Sequence, residues 1–153
     1  GIIERMPRLV GVQLEACCPT ATAFHAGKDV VVPVEKKPSL SDAIMNNNPY
    51  WGKYCLEAVR TTGGTMITVS DADFIRAIRA LGREEGIFTE PAGVVSVAAL
   101  DKLVKIPGFE NPGVTVCNLT GHGLNSPQVA TSDSESPEPV EASLEAVEAY
   151  LGE

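Results

Sequence analysis

The run Thr120-Gly121-His122-Gly123 directly follows the strand-like stretch Val114-Thr115-Val116-Cys117-Asn118-Leu119. Glycines on both sides of His122 let the backbone turn sharply or approach a ligand closely, and Thr120 presents a hydroxyl where the strand ends. Ligands of open parallel sheets bind outside the carboxyl ends of the strands, so polar groups at those ends are the ones that can do chemistry. Gln13, Ser70 and Glu90 hold comparable positions after other strand-like runs. Each also has a plainer account. By spacing alone, an ordinary tight turn explains Thr-Gly-His-Gly slightly better than a ligand contact. Ser70 is better explained as a helix cap than as a nucleophile, because no His-Asp pair is placed to activate it. Glu90 before Pro91 suits a solvated acid at a helix start, and Gln13 and Glu15 end a strand.

Other chemistries find less support. His25 and His122 do not converge with cysteines or acids at metal-ligand spacing, which argues against a zinc site. Gly63-Gly64 lacks the Lys and Ser/Thr of a phosphate-binding loop and reads as a turn. Cys17 and Cys18 are adjacent, and neither Cys55 nor Cys117 belongs to a CxxC pair, so buried free thiols in a reducing cytosol are expected. A formal net charge of -8 argues against nucleic acid or an anionic membrane as partner. Part of that acidity is local: Asp133, Glu135, Glu138, Glu141, Glu145, Glu148 and Glu153 lie in a tail with no basic residue. No secretory signal pattern and no apolar run of membrane-spanning length is visible, and a cytoplasmic location is expected.

The elements that must position these groups alternate. Leu9-Val10-Gly11-Val12-Gln13 reads as a strand buried on both faces. Val30 to Val34 suits an edge strand, with Pro33 keeping it from a central place. Trp51, Tyr54, Cys55, Ala58 and Val59 recur at helical spacing within 49–60, and Gly63-Gly64 ends that run. Met66 to Val69 is a strand. Ser70 and Asp73 have capping-box spacing ahead of a helix through Glu85, which Gly86 stops. Ile87-Phe88-Thr89 is a further strand, Pro91 opens an apolar helix through Val104, and 114–119 is the last strand. Strands joined by single crossover helices lie parallel with helices over the sheet faces, so the class is α/β, a three-layer sandwich with a mostly parallel sheet. This domain spans 1–127, a Ser/Glu/Pro-rich linker covers 128–139, and 140–153 holds a short C-terminal helix.

Three segments together resemble the threonine synthase group of fold-type II pyridoxal-phosphate enzymes: Arg8 to Gln13, Glu84-Glu85-Gly86-Ile87-Phe88-Thr89-Glu90-Pro91-Ala92, and Leu119-Thr120-Gly121-His122-Gly123. The intervening Asp42-Ala43-Ile44 and Asn48-Pro49 follow the same spacing, so the likeness runs over roughly residues 8 to 127. It implies that the chain is the C-terminal part of the large, cofactor-binding domain. It also implies that Thr120 donates a hydrogen bond to the pyridine nitrogen of pyridoxal 5'-phosphate and that Glu90 lies near the ring or substrate. The reaction implied for the complete enzyme converts O-phosphohomoserine and water to threonine and phosphate.

The sequence departs from that group in lacking the Schiff-base lysine and the glycine-rich phosphate loop, which belong to the part preceding this chain. None of Lys28, Lys36, Lys37, Lys53, Lys102 and Lys105 sits in a comparable setting. Gly1, just ahead of a core strand, reads as a boundary or cleavage point. The expected partners are the N-terminal remainder, a small amino-acid substrate and a second copy in a homodimer, and the isolated chain is expected to be inactive. A cysteate synthase-like enzyme acting on O-phosphoserine shares fold and cofactor. A non-catalytic dimerisation or regulatory module would keep the fold without the chemistry.

Overall fold

A computed structural model describes residues 1–130 and 139–152. The chain opens with β1 (Val10–Leu14), α1 (Pro19–His25), α2 (Gly52–Thr61), β2 (Thr65–Val69) and α3 (Asp71–Glu85). Then come α4 (Pro91–Ala98), α5 (Leu100–Leu103), a 3-10 turn (Gly123–Asn125), α6 (Pro127–Ala130) and α7 (Leu144–Leu151). Strands β1 and β2 pair in parallel, Val10 opposite Thr65 through Leu14 opposite Val69.

Side chains alternate across this pair as the strand period of two requires. Leu14, Ile67 and Val69 point to one face, where they join Phe74 and Ile78 of α3, Val94 and Ala98 of α4, and Leu103. Met66 points the other way, against Ala21 of α1 and Val59 of α2. Helices thus cover both faces of the sheet, giving the three layers and the α/β class that the sequence implies.

Helix α3 has the ends read from its sequence. Asp73 N donates to Ser70 Oγ at 3.3 Å and Ser70 N donates to Asp73 Oδ2 at 2.8 Å, so two otherwise orphaned N–H groups are satisfied reciprocally. At the other end Gly86 takes φ 67°, the left-handed turn that a Cβ would strain, and its N–H reaches Leu81 O. Helix α1 has no counterpart in the sequence reading. Its N-cap, Cys18, makes no side-chain cap, but Gln13 Oε1 accepts from Ala21 N at 2.9 Å, so the polar residue near the end of β1 caps the next helix from outside it.

Several expectations need correction. Residues 30–34 are not an edge strand among the described residues; Val34 N donates to Asn47 O at 3.2 Å, a single bond between two loop segments. Helix 49–60 starts later, at Gly52, and the apolar helix through Val104 divides into α4 and α5. Residues 87–89 and 114–119 form no ladder strands: Thr89 makes one isolated antiparallel bridge to His122, and 114–119 is irregular, with a bend at Val114 and no backbone–backbone hydrogen bond among the described residues. A β-rich sequence becomes a strand only when a neighbour accepts its backbone bonds, and the described residues offer none there. The expected thiol burial holds fully only for Cys17, while Cys55 is exposed. Most of the 128–139 linker falls on 131–138, outside the described residues, and its first residues form α6.

Candidate functional site

Residues 87–90 and 120–125 close on each other as a clasp at the start of α4. Gly123 N donates to Phe88 O at 3.1 Å, and Glu90 N donates to Gly121 O at 3.1 Å. The buried Thr89 sends its hydroxyl to the same Gly121 carbonyl at 2.8 Å. Three glycines make this approach possible. A Cβ on Gly93 would lie 2.6 Å from Thr89 Oγ1 and 2.8 Å from Gly121 N. A Cβ on Gly121 would collide with the Glu90 carboxylate, and one on Gly123 with the Phe88 ring.

Glu90 is half-buried at the N-cap of α4, where its side chain makes no capping bond. Instead Oε2 accepts from Asn125 Nδ2 at 2.8 Å, with the rest of the carboxylate against Gly121. His122 Nδ1 accepts from Leu124 N at 3.1 Å, which leaves the ring proton on Nε2, and the ring meets Phe88 edge-on at 5.7 Å. It thereby caps the 3-10 turn. Thr120 stands at the mouth of the clasp, exposed, and its hydroxyl has no hydrogen-bond partner among the described residues. The structure thus brings the segments that carry Thr120 and Glu90 together, with Glu90 against Gly121, the residue that follows Thr120. These segments meet through the antiparallel Thr89–His122 bridge and not through the neighbouring parallel strands expected.

Ser70 and Gln13 do not join them: Ser70 caps α3 and Gln13 caps α1. Just past the carboxyl ends of β1 and β2 a different polar knot forms. Lys102 Nζ donates to Asp73 Oδ2 at 2.7 Å, Thr68 O at 2.9 Å and Glu15 Oε1 at 3.1 Å, which uses all three ammonium protons. Arg76 also pairs with Asp73. Burial pushes the Asp73 carboxyl up, but hydrogen bonds from Lys102 and Ser70 outweigh it and hold the group well below the usual carboxylate range. Burial likewise works against the Lys102 charge, yet Asp73 and Glu15 raise its pKa overall. Burial raises the Cys117 thiol, partly offset by Ser96, and raises the Cys17 thiol against the opposing charge of Lys36.

Sequence reasoning missed Asn125 and the Lys102 knot. Asn125 lies two residues beyond the recognised glycine motif, and only the turn of the clasp carries it back to Glu90. Lys102 meets partners from three distant segments, so no local spacing announces it. Among the described residues no group of three or more His, Cys, Asp and Glu is placed to hold a metal, and no helix is long and apolar enough to cross a membrane.

Known proteins share this sequence pattern. Residues 2–121 match the family described as Pyridoxal-phosphate dependent enzyme. The threonine synthase of Methanosarcina acetivorans is 37% identical over 99% of this chain and 38% of its own length. That of Methanocaldococcus jannaschii is 33% identical over 100% of this chain and again 38% of its own. The chain therefore spans well under half the length of these relatives. A solved threonine deaminase from T.th. aligns with 61% of this chain and 33% of its own at 22% identity and a TM-score of 0.49, which adds nothing to the assignment. The family match covers β1 through Gly121, and thus most of the clasp, and the threonine synthases align over nearly the whole chain; the chain belongs to the pyridoxal-phosphate dependent enzymes.

Proposed function

We propose that this chain is the C-terminal part of the cofactor-binding domain of a threonine synthase-like lyase, which in its complete form converts O-phosphohomoserine and water to threonine and phosphate. The observation that carries the reading is the clasp: a loop tied by hydrogen bonds at Gly121 and Gly123 beside one hydroxyl, that of Thr120, with no partner among the described residues. An unpaired alcohol donor on a fixed loop suits a ring nitrogen that bears no proton, so the donor set fits pyridoxal phosphate. When bound, that cofactor withdraws electrons from the amino-acid substrate.

Thr120 would hold the cofactor through its ring nitrogen, donating a hydrogen bond without placing a negative charge there, so it would not promote ring protonation. Glu90 packs its carboxylate against Gly121, next to Thr120 in sequence. With Oε2 accepting from Asn125, it ties the clasp together and would leave a charged group near the ring or substrate. Lys102 is committed to Asp73, Glu15 and Thr68, which sets it apart from a lysine free to bind the cofactor covalently.

The test is phosphate release from O-phosphohomoserine by the polypeptide extended through the coding sequence that precedes Gly1. Release with stoichiometric threonine is expected. The 153-residue chain alone, supplied with pyridoxal phosphate, is expected to release none. Turnover by the chain alone contradicts the placement of the lysine, and release only from O-phosphoserine replaces the substrate.

A further inference from the structure

The clasp holds a carboxylate against Gly121 and a hydroxyl on the residue before it, yet among the described residues no hydrogen bond joins Glu90 to Thr120. A carboxylate accepts only and a hydroxyl is a ready donor, so the two are natural partners. The Glu90 carboxylate is engaged elsewhere at both oxygens. Oε2 accepts from Asn125 Nδ2 at 2.8 Å. Oε1 is seated against the backbone of Gly121, 1.9 Å from where a Cβ on that glycine would lie. The orientation of the Asn125 amide is forced, because only its NH2 can face a carboxylate oxygen. Main-chain bonds set the position from which it reaches: Asn125 N donates to His122 O at 3.0 Å, and Gly123 N ties the same turn to Phe88 O. Asn125 is itself exposed, so its side chain fills no core and its one long-range contact adds little to folding.

We propose that Asn125 is a positioning residue of the cofactor site: by engaging the Glu90 carboxylate it keeps the Thr120 hydroxyl free for the ring nitrogen of pyridoxal phosphate. Threonine has a single O–H to give. If Glu90 took that proton, an unprotonated ring nitrogen would face only the lone pairs of the hydroxyl oxygen, and the contact would turn repulsive. Asn125 removes the competitor by offering Glu90 a donor of its own, on the side away from Thr120 in sequence. Resting on the reading that Thr120 meets the ring, this role lets Asn125 act on the cofactor without touching it. It also accounts for a long-range bond made by an exposed side chain whose backbone is already fixed.

A double-mutant cycle between two residues that do not touch tests it, read as the absorbance titration of pyridoxal phosphate into the upstream-extended protein, with chemical denaturation midpoints measured alongside. Asn125→Ala is expected to weaken cofactor affinity about 10-fold in the parent, the order of one hydrogen bond, and by less than about 2-fold in the Thr120→Val background, where the hydroxyl it protects is already gone. Asn125→Gln, which keeps the amide donor, is expected to bind as the parent does, and the midpoints of parent and variants are expected to coincide. Equal losses in the two backgrounds overturn the proposal, since Asn125 would then act by general support of the clasp. A loss that glutamine does not recover, or that follows a fallen midpoint, overturns it as well. Weak binding by Thr120→Val beside normal binding by Asn125→Ala removes the role of Asn125 and keeps the functional reading. A parent that binds no cofactor, or a Thr120→Val variant that binds as the parent does, overturns both.

Discussion

The first 86 residues and the forty that follow use the same kinds of signal and come out differently. In the first region each strand and helix finds its partner nearby: β1 beside β2, Phe74 and Ile78 of α3 under Ile67 and Val69, Ser70 and Asp73 closing each other's cap. In the second, two equally strand-like runs make no ladder, and order comes from a clasp of glycines and single hydrogen bonds around α4. The difference teaches that apolar alternation states what a segment can become, while the ladder depends on whether a neighbour is at hand.

Truncating Phe74 should break the first region most severely. It is fully buried at the centre of the larger core, so Phe74→Ala is expected to cost about 3–5 kcal/mol, read as a drop in chemical denaturation midpoint. Survival of the midpoint within ~1 kcal/mol would show that the core does not close around β2 and α3 as described.

Gly93→Ala probes the clasp. Alanine ordinarily favours a helix by about 1 kcal/mol over glycine. Here the added methyl meets Thr89 Oγ1 and the Gly121 backbone, so a net loss of about 1–3 kcal/mol is expected by the same measurement. A stabilised variant would mean that the second region is loose enough to yield.

A smaller effect comes from the Lys102 knot. Asp73 has a lowered pKa in the folded chain, so its contribution is present above its ordinary value of 3.8 and is lost as pH falls through the folded value. Lys102 is shifted the other way: its contribution is present below 10.5 and is lost only as pH rises through the raised folded value. Lys102→Met is expected to cost about 1 kcal/mol near neutral pH, a modest figure because the lysine is partly exposed. Acid unfolding of the variant should begin at higher pH than in the parent chain. Coincident acid limbs for the two would remove the knot from the account.

What is legible in the sequence follows the same division. The capping box at Ser70, the stop at Gly86 and the buried runs of β1 and β2 are local, and local chemistry suffices to place them. Thr120 and Glu90 are legible as strand-end polar groups, and their segments do meet, Glu90 lying against Gly121, but by another route, because an antiparallel Thr89–His122 bridge joins the segments where the sequence implies parallel neighbours. Gln13 reads as a strand end, and its role as the cap of α1 appears only once the chain turns back at Cys17. Asn125 and Lys102 act through contacts that sequence spacing does not carry.

The most direct test of the central claim is the absorbance of bound pyridoxal phosphate in the upstream-extended protein carrying Thr120→Val, with folding stability measured alongside. Because the hydroxyl has no partner among the described residues, stability should stay within about 0.5 kcal/mol of the parent. The cofactor band is expected to shift and its affinity to fall, with Thr120→Ser restoring both. An unchanged spectrum and affinity in the valine variant would contradict the account, since the clasp would then be holding up a hydroxyl that the cofactor never meets.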